Sequence, residues 1–333
     1  MAFRDIKGQE GAVEFFRRAV NGNRLAHAYL FLGPEGLGKT LLAKNLAKFV
    51  NCENPVIEDN RGVDCCDSCN SCHKIEGGNH PDIHWVEPAG RANKISIDDI
   101  RSVQKEISLK AYEGKWKVFI ILEAQKMTEQ AANCLLKTLE EPPRSSLIVL
   151  SAEGLSGLLP TIVSRCHLIK FYPLNYETLK EILISDYKLD PETVHFLSAQ
   201  TEGRIGRALE LKDQDALLKK NRLIERIRQP GGGRGASYDI FNIKDKKELS
   251  AQIAYLLNWF RDILVFKAGL SASSVINADR LEGIKSESRY WDFEDLEKIL
   301  TQIDEADTLI KQNVNPKIAL EVMLQGLEKC NTK

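Results

Sequence analysis

The sequence has no apolar run approaching the ~20 residues that a membrane-spanning helix requires, although 43% of its residues are hydrophobic. We therefore expect no membrane span. The opening residues, 1–10, are rich in charge and lack the apolar segment of a secretory signal peptide. These two absences predict a cytoplasmic protein.

A large net charge of either sign is also missing. The 46 lysines and arginines nearly balance the 47 aspartates and glutamates, so any contact with nucleic acid must come from a local basic patch. The chain also lacks a Ser/His/Asp constellation or a carboxylate pair that would indicate catalysis by those groups. We interpret His80, His84 and His195 as structural residues, because no partner pattern accompanies them.

The first half of the chain does contain an alternation of short apolar strands and helices. Such alternation favours an α/β fold, a parallel sheet covered by helices on both faces. The chain of 333 residues is long enough for two or three domains. The predicted strands are residues 28–32, 117–122, 146–151 and 168–171, and the predicted helices are residues 10–21, 40–50 and 128–140.

Strand-like runs stop after Pro173. Residues 175–228 are predicted to form several short helices with a break at Glu202-Gly203, and residues 245–330 are predicted to be wholly helical. Between them, residues 229–235 read Gln-Pro-Gly-Gly-Gly-Arg-Gly. This composition is typical of a flexible linker.

A phosphate-binding pattern, G-x-x-x-x-G-K-[ST], lies between a predicted strand and a predicted helix. Its glycines would let backbone N–H groups face the phosphates, and the following helix would add its positive N-terminal end. Lys39 would contact the β- and γ-phosphates, and the Thr40 hydroxyl would bind Mg²⁺. The strand and helix context disfavours a chance glycine-rich turn. We therefore predict an ATP/Mg²⁺ site formed by Gly33, Pro34, Glu35, Gly36, Leu37, Gly38, Lys39 and Thr40.

The second motif of such nucleotide sites is incomplete. The buried strand that normally ends in an Mg²⁺-supporting aspartate ends here in Leu122, which offers no oxygen to the metal. The next residue, Glu123, could polarise a water molecule, or it could be a solvated carboxylate at the start of a helix. We predict slow or absent ATP hydrolysis by this chain, with Glu123 as a degraded catalytic residue.

Five of the eight cysteines lie in the segment from Cys52 to Cys72. Cys66-x-x-Cys69-x-x-Cys72 with upstream Cys52 has the spacing of a four-thiolate zinc site with a structural role. Crowded thiols favour metal binding in a reducing compartment over a disulfide framework. The spacing leaves open whether Cys65 or its neighbour Cys66 binds the metal, and reduced free thiols are the alternative.

Four further segments together resemble the bacterial DNA polymerase III clamp-loader family, with its gamma/tau and delta-prime subunits. The Leu-Leu-Lys-Thr-Leu-Glu-Glu-Pro-Pro run and the Ser-Arg-Cys triplet are highly specific. The resemblance covers residues 1–215, and residues 315–321 resemble the C-terminal helical domain of the family. The segments are Ile6-Lys7-Gly8-Gln9, His27-Ala28-Tyr29-Leu30-Phe31, Asn133-Cys134-Leu135-Leu136-Lys137-Thr138-Leu139-Glu140-Glu141-Pro142-Pro143 and Ile162-Val163-Ser164-Arg165-Cys166.

The resemblance implies an AAA+ nucleotide-binding core with an inserted zinc module, a helical lid, a linker and a helical collar. Five subunits of such a loader assemble through their collars. The implied partners are gamma/tau-type and delta-type subunits and, through the complex, the sliding clamp and primer-template DNA. The implied bounds are residues 1–172 for the core, about 52–73 for the zinc module, 173–228 for the lid, 229–240 for the linker and 241–333 for the collar.

In that family the arginine of Ser-Arg-Cys is a finger that reaches the ATP site of a neighbouring subunit, a role that falls here on Arg165. Two positions depart from working ATPases of the gamma/tau type. Leu122 stands where they carry an aspartate, and Gly206 stands where they carry a nucleotide-sensing arginine in the lid. A retained finger beside a degraded ATP site resembles the delta-prime pattern. The intact phosphate loop keeps open the alternative of a gamma/tau-like, self-sufficient ATPase.

Overall fold

The computed structural model describes residues 1–90, 92–228, 238–243, 245–271, 274–312 and 314–330. The chain divides into two compact units. The first comprises Met1–Leu174 and Arg204–Arg207, and the second comprises Asn175–Gly203 and Ala208–Lys333. Across the described residues, no helix combines the length and the apolar character needed to cross a bilayer.

The first unit is built on a parallel sheet, as the sequence predicts, with five strands where four were predicted. The strand order is β4-β5-β6-β1-β7, and a separate antiparallel hairpin pairs β2 with β3. Every residue of β5 and β6 is buried, which is typical of parallel strands covered on both faces. The strands are β1 (Ala28–Leu32), β2 (Val56–Glu58), β3 (Arg61–Asp64), β4 (Ile83–Val86), β5 (Lys117–Ile121), β6 (Ser146–Ala152) and β7 (His167–Lys170).

Helices cover the two faces of this sheet and create two hydrophobic cores. Successive side chains of a strand point to opposite faces, so Tyr29 and Phe31 of β1 pack in one core while Leu30 packs in the other. The first core includes α1 and α2, and the second includes α4, α5 and α6. The helices are α1 (Glu10–Asn21), α2 (Lys39–Asn51), α3 (Asn70–Glu76), α4 (Ile97–Ile107), α5 (Glu129–Glu140) and α6 (Pro160–Val163).

The four strands and three helices that the sequence predicts in this unit are confirmed, with boundary shifts of a residue or two. The other elements of this unit are absent from that prediction: β2, β3, β4, α3, α4 and α6. Two of them, β4 and α4, belong to the parallel sheet and to its helical cover. β4 is an edge strand in which only Ile83 is fully buried, so it lacks a continuous apolar run. α4 does carry a sequence signal, because Ser96 and Asp99 form a capping box at its start.

The second unit is helical throughout its described residues, apart from short connections. The predicted break at Glu202-Gly203 is confirmed, because both residues have a positive φ that ends a helix. The predicted linker, residues 229–235, lies outside the described residues. The division into lid and collar stays a prediction. The helices are α7 (Tyr176–Ser185), α8 (Pro191–Thr201), α9 (Ile205–Asp213), whose first turn belongs to the first unit, α10 (Ala216–Arg228), α11 (Lys246–Lys267), α12 (Leu281–Tyr290), α13 (Phe293–Lys311) and α14 (Pro316–Cys330).

The three histidines singled out from the sequence make packing and hydrogen-bond contacts. His195 lies between the Tyr176 hydroxyl and the Val275 carbonyl, at 2.8 Å from each. His84 stacks on Phe119 with ring centroids 4.7 Å apart. His80 accepts a hydrogen bond at Nδ1 from the backbone N–H of Asp82.

Candidate nucleotide, arginine-finger and metal sites

The phosphate-loop residues 33–40 connect the end of β1 to the start of α2. Gly36 and Gly38 have φ values of 83° and 88°, a left-handed conformation that glycine adopts without strain. Gly38 is also the N-cap of α2, so the loop leads into the positive end of a helix. The backbone therefore has the shape of a phosphate-binding loop.

Lys39 contacts the loop that precedes it. Its Nζ donates hydrogen bonds to the carbonyls of Gly33 and Pro34, the latter at 2.7 Å. Burial lowers the pKa of Lys39, and the nearby carboxylates of Glu153, Glu35 and Glu123 oppose that shift.

Glu153 lies near Lys39 of the phosphate loop, although no sequence pattern indicates it. It directly follows β6, whose carboxyl end lies next to that of β1 in the sheet. Because ligand-binding residues of parallel sheets cluster at these strand ends, the strand order would have pointed to it. Its carboxylate adds negative charge close to Lys39.

The end of β5 carries the degraded second motif. Leu122 packs against the first core, and its side chain supplies no oxygen. Glu123 has a left-handed φ of 48°, and its backbone N–H donates to the Ser151 hydroxyl at 3.3 Å. Its carboxylate forms an ion pair with Lys126 at 2.5 Å. The structure thus places Glu123 near the loop but with its carboxylate engaged by a lysine.

The first turn of α9 touches the phosphate loop backbone to backbone. The N–H of Gly206 donates to the carbonyl of Gly36 at 2.8 Å. A Cβ on Gly206 would lie 2.9 Å from that same oxygen, and a Cβ on Gly36 would lie 2.9 Å from the nitrogen of Arg207. Only glycine fits at both positions. Gly206, the position at which the resemblance predicts the loss of a sensing arginine, therefore occupies a space in which no side chain could be accommodated.

Arg165 lies on a short loop after α6. The loop is anchored by the neighbouring Cys166, whose side chain packs against the second core. Burial raises the pKa of Cys166 to about 12, so this thiol is an apolar anchor and not a reactive group.

The guanidinium of Arg165 makes three contacts within its own chain, one of which is a hydrogen bond to the Ser164 hydroxyl at 3.5 Å. One terminal nitrogen forms an ion pair with the Glu140 carboxylate at 2.5 Å, and the other donates to the Thr161 carbonyl at 3.0 Å. The Arg165 side chain is 35% exposed and that of Glu140 is 50% exposed. Glu140 lies within a motif quoted from the sequence, but only the structure reveals this contact.

The predicted cysteine ligands come together in the first unit. The Sγ atoms of Cys52, Cys66, Cys69 and Cys72 all lie within 4.8 Å of one another. Sγ of Cys52 is 3.5, 4.0 and 3.8 Å from those of Cys66, Cys69 and Cys72. Four thiolates bound at ~2.3 Å to one tetrahedral ion stand ~3.8 Å apart, so this donor set fits such an ion.

The four thiols differ in their pKa. Burial raises the pKa of Cys52 and of Cys69, and a side-chain hydrogen bond with Cys65 together with burial raises that of Cys72. Backbone N–H groups of Cys66, Cys69 and Cys72 donate to the sulfurs of Cys52, Cys66 and Cys69. Although burial opposes it, donors on Ser68 and the N–H of Cys69 lower the pKa of Cys66 to about 6. Such a thiol is readily deprotonated, which metal binding requires.

Cys65 is buried beside this cluster but outside the group of four. Its backbone N–H donates to the Asp64 carboxylate, and its side chain shares a hydrogen bond with Cys72. The structure thus brings Cys66, and not Cys65, together with the other three candidate ligands.

The cysteine cluster is tied to α2 by a buried cation. Lys48 of α2 is fully buried and forms ion pairs with Asp67, which lies between Cys66 and Cys69, and with Glu76, which follows Cys72. Burial alone would lower the pKa of Lys48, but the hydrogen bonds to Asp67 and Glu76 raise it. The same helix begins at the phosphate loop and ends directly before Cys52.

Comparison with protein families identifies the chain. A family model described as the DNA polymerase III delta subunit matches residues 8–175, and a model of the C-terminal part of that subunit matches residues 214–329. The chain belongs to the DNA polymerase III delta-subunit family. This family placement bears out the resemblance to clamp-loader subunits.

Individual relatives of this delta-family chain refine the placement. It is 32% identical over 333 residues to the DNA polymerase III subunit delta-prime of Bacillus subtilis, and the alignment covers 96% of each chain. It is also 32% identical to the DNA polymerase III subunit tau of Escherichia coli, but over 217 residues, 64% of this chain and 32% of tau. The delta-prime relative matches along the whole length, so this chain is a clamp-loader subunit of the delta-prime type.

One solved structure supports the fold of the delta-family chain. A DNA polymerase III gamma subunit-related protein from Thermotoga maritima superposes with a TM-score of 0.52 at 20% identity. The superposition covers 96% of this chain and 99% of that protein.

Proposed function

We propose that this chain supplies Arg165 in trans to the ATP site of an adjacent subunit while it contributes little hydrolysis of its own. It works in a five-subunit clamp loader with gamma/tau-type and delta-type partners. The ATP-driven loading of the sliding clamp onto primer-template DNA is then an activity of the whole complex. The delta-prime-type relative and the family match support this assignment.

The observation that carries this proposal is the contrast between two sites of the first unit. Arg165 is held on an anchored loop with its guanidinium partly exposed. The chain's own nucleotide site combines Leu122, which cannot bind Mg²⁺, with Gly206, which carries no cation. An arginine that completes a phosphate-transfer site increases the rate roughly 10³–10⁵-fold. Arg165, the residue that would act on a neighbour's ATP, is therefore retained, whereas the residues for hydrolysis at this chain's own site are not.

We infer two cofactors for this chain, a zinc ion and ATP with Mg²⁺. Cys52, Cys66, Cys69 and Cys72 would hold one zinc ion, which stabilises the segment around it and takes no part in hydrolysis. The phosphate loop, residues 33–40, would bind ATP with Mg²⁺ even where hydrolysis is weak. The proposed core, lid and collar retain the bounds 1–172, 173–228 and 241–333.

The test is reconstitution of the loader with an Arg165→Ala chain. We expect normal assembly and a loss of DNA-stimulated ATPase at the adjacent site, because the developing charge on the phosphate loses its partner. Arg18→Ala, which removes an exposed arginine on α1, is the control and should leave the ATPase unchanged. Unchanged ATPase in the Arg165→Ala complex would disprove the finger assignment.

The alternative is a self-sufficient ATPase of the gamma/tau type, which the intact phosphate loop favours. It predicts that the purified wild-type chain turns over ATP and that Lys39→Ala abolishes this activity. The proposal predicts negligible turnover by both chains. Leu122→Asp restores the Mg²⁺-supporting carboxylate and leaves Gly206 unchanged. We expect little recovery of ATPase activity, because Gly206 still supplies no cation.

A further inference from the structure

Glu140 is the last residue of α5, and it holds the Arg165 guanidinium. Its carboxylate lies 2.5 Å from one terminal nitrogen, and the Thr161 carbonyl accepts from the other. A guanidinium binds phosphate bidentately through two neighbouring nitrogens. Both terminal nitrogens of Arg165 are therefore engaged by the chain that carries them.

The location of Glu140 is electrostatically unfavourable for α5 alone. The C-terminal end of a helix carries a partial negative charge, so a carboxylate there is repelled. Arg165 supplies the cation that offsets this repulsion. The end of the helix that carries Glu140 is also well fixed, because Leu135 and Leu139 are buried in the second core.

From these contacts we propose that Glu140 is a positioning residue that stores the Arg165 guanidinium until a neighbour's triphosphate displaces it. The inference rests on the proposed role of Arg165 as a finger in trans. Both side chains are partly exposed, and ion pairs of this kind shift an equilibrium by only roughly 1.5-fold to fivefold. A triphosphate offers more negative charge and two oxygens to the guanidinium, so the guanidinium leaves Glu140 and binds the triphosphate.

The variant that tests this role is Glu140→Gln, which keeps the shape and one carbonyl oxygen but removes the charge. In the reconstituted loader, we expect kcat/KM for ATP to rise by roughly 1.5-fold to fivefold, because the finger no longer has to leave a carboxylate. Glu141→Gln removes the next carboxylate along the chain, which is exposed, and is the matched control. It should leave kcat/KM unchanged.

A double-mutant cycle separates this role from a general structural one. In complexes that carry Arg165→Ala, adding Glu140→Gln should leave kcat/KM for ATP unchanged, because the guanidinium that Glu140 holds is absent. The inference would be overturned if Glu140→Gln changed kcat/KM equally with and without Arg165. It would also be overturned if Glu141→Gln changed kcat/KM as much as Glu140→Gln does. A fall in kcat/KM would also overturn it, since Glu140 would then orient the finger for use. If Arg165→Ala alone has no effect, the proposed function fails first.

Discussion

Gly36 and Gly206 meet where the first turn of α9 contacts the phosphate loop. The contact is a hydrogen bond of 2.8 Å between backbone atoms, with room for no side chain on either residue. Gly206 therefore has two effects. It carries no side-chain charge beside Gly36, and it lets the first turn of α9 approach the loop more closely than any other residue would allow.

Gly206→Ala should therefore destabilise the chain, by ~1–3 kcal/mol, because its Cβ would press on the Gly36 carbonyl. Gly11→Ala is the matched control, since Gly11 is likewise the second residue of its helix and a Cβ there meets nothing within 4 Å. It should be neutral or slightly stabilising. Urea unfolding of the three chains measures both effects, and equal midpoints for the two variants would contradict the steric reading.

At the scale of elements, α2 joins the two candidate sites of the first unit, the phosphate loop and the cysteine cluster. It begins at Lys39 of the phosphate loop and ends at Asn51, directly before the candidate metal ligand Cys52. Ala2 packs in the same small cluster as the cysteines. Loss of the metal should therefore loosen the end of α2, the hairpin of β2 and β3, and the N-terminal residues together.

Cys69→Ser should lose most of the bound zinc, because three thiolates bind this ion far less well than four. Metal analysis of the purified chain measures this directly. Hydrogen exchange should rise in residues 52–76 and 2–6 and stay unchanged in β5 and β6. Cys134→Ser, which alters a thiol outside the cluster, is the control and should retain one zinc per chain. Full retention by Cys69→Ser would rule out the proposed ligand set.

The loop between α4 and β5 is fixed by a single buried carboxylate. Asp82 is fully buried and accepts hydrogen bonds from the backbone N–H groups of Tyr112, Glu113 and Gly114 at 2.7–2.8 Å. Burial alone would raise the pKa of Asp82, but these three donors lower it below its ordinary value. A carboxyl whose pKa is lowered on folding stabilises the protein above its ordinary pKa, and this contribution is lost as the pH falls.

Asp82→Asn should cost ~1–3 kcal/mol at neutral pH, because an amide has one acceptor oxygen where the carboxylate uses two. The difference between wild type and variant should shrink as the pH falls below ~4, where the wild-type carboxyl begins to take up a proton. Urea unfolding at several pH values from 7 downward measures this difference. A difference that stays constant with pH would show that charge plays no part.

At the scale of the whole molecule, the second unit contains a buried ion pair between distant parts of the chain. Lys220 of α10 lies 2.7 and 2.9 Å from the two carboxylate oxygens of Asp279. The side chains are 0% and 6% exposed. Lys220 belongs to the proposed lid and Asp279 to the proposed collar, so these two parts share one compact unit.

Lys220→Met should destabilise the second unit by about 3–5 kcal/mol, because it leaves the buried Asp279 charge without its partner. Lys219→Met is the matched control: the neighbouring Lys219 side chain is 43% exposed and pairs with Glu248 at 3.3 Å, so the change should be small. Hydrogen exchange should rise in residues 216–228 and 276–290 and stay unchanged in the parallel sheet. Equal exchange in both variants would contradict a stabilising pair.

The elements that sequence alone predicts are those with a local signal. The strands at residues 117–122 and 146–151 are continuous apolar runs, and the phosphate loop and the cysteine spacing are patterns that one short segment carries in full. The edge strand β4 escaped prediction because its pattern depends on which of its faces the rest of the protein covers. Within the site, Glu153 was missed because its importance comes from the order of strands in the sheet.

Local chemistry therefore determined the candidate sites of this protein: a phosphate-loop pattern, four thiols spaced for one metal ion, and an arginine in a specific triplet. Tertiary structure alone decided which residues these groups contact. It placed Gly206 against Gly36, and it placed Glu140 on Arg165, since in each pair the residues are far apart in sequence. A sequence records the identity of each partner, but their separation in space depends on the packing of the whole core, which no local pattern contains.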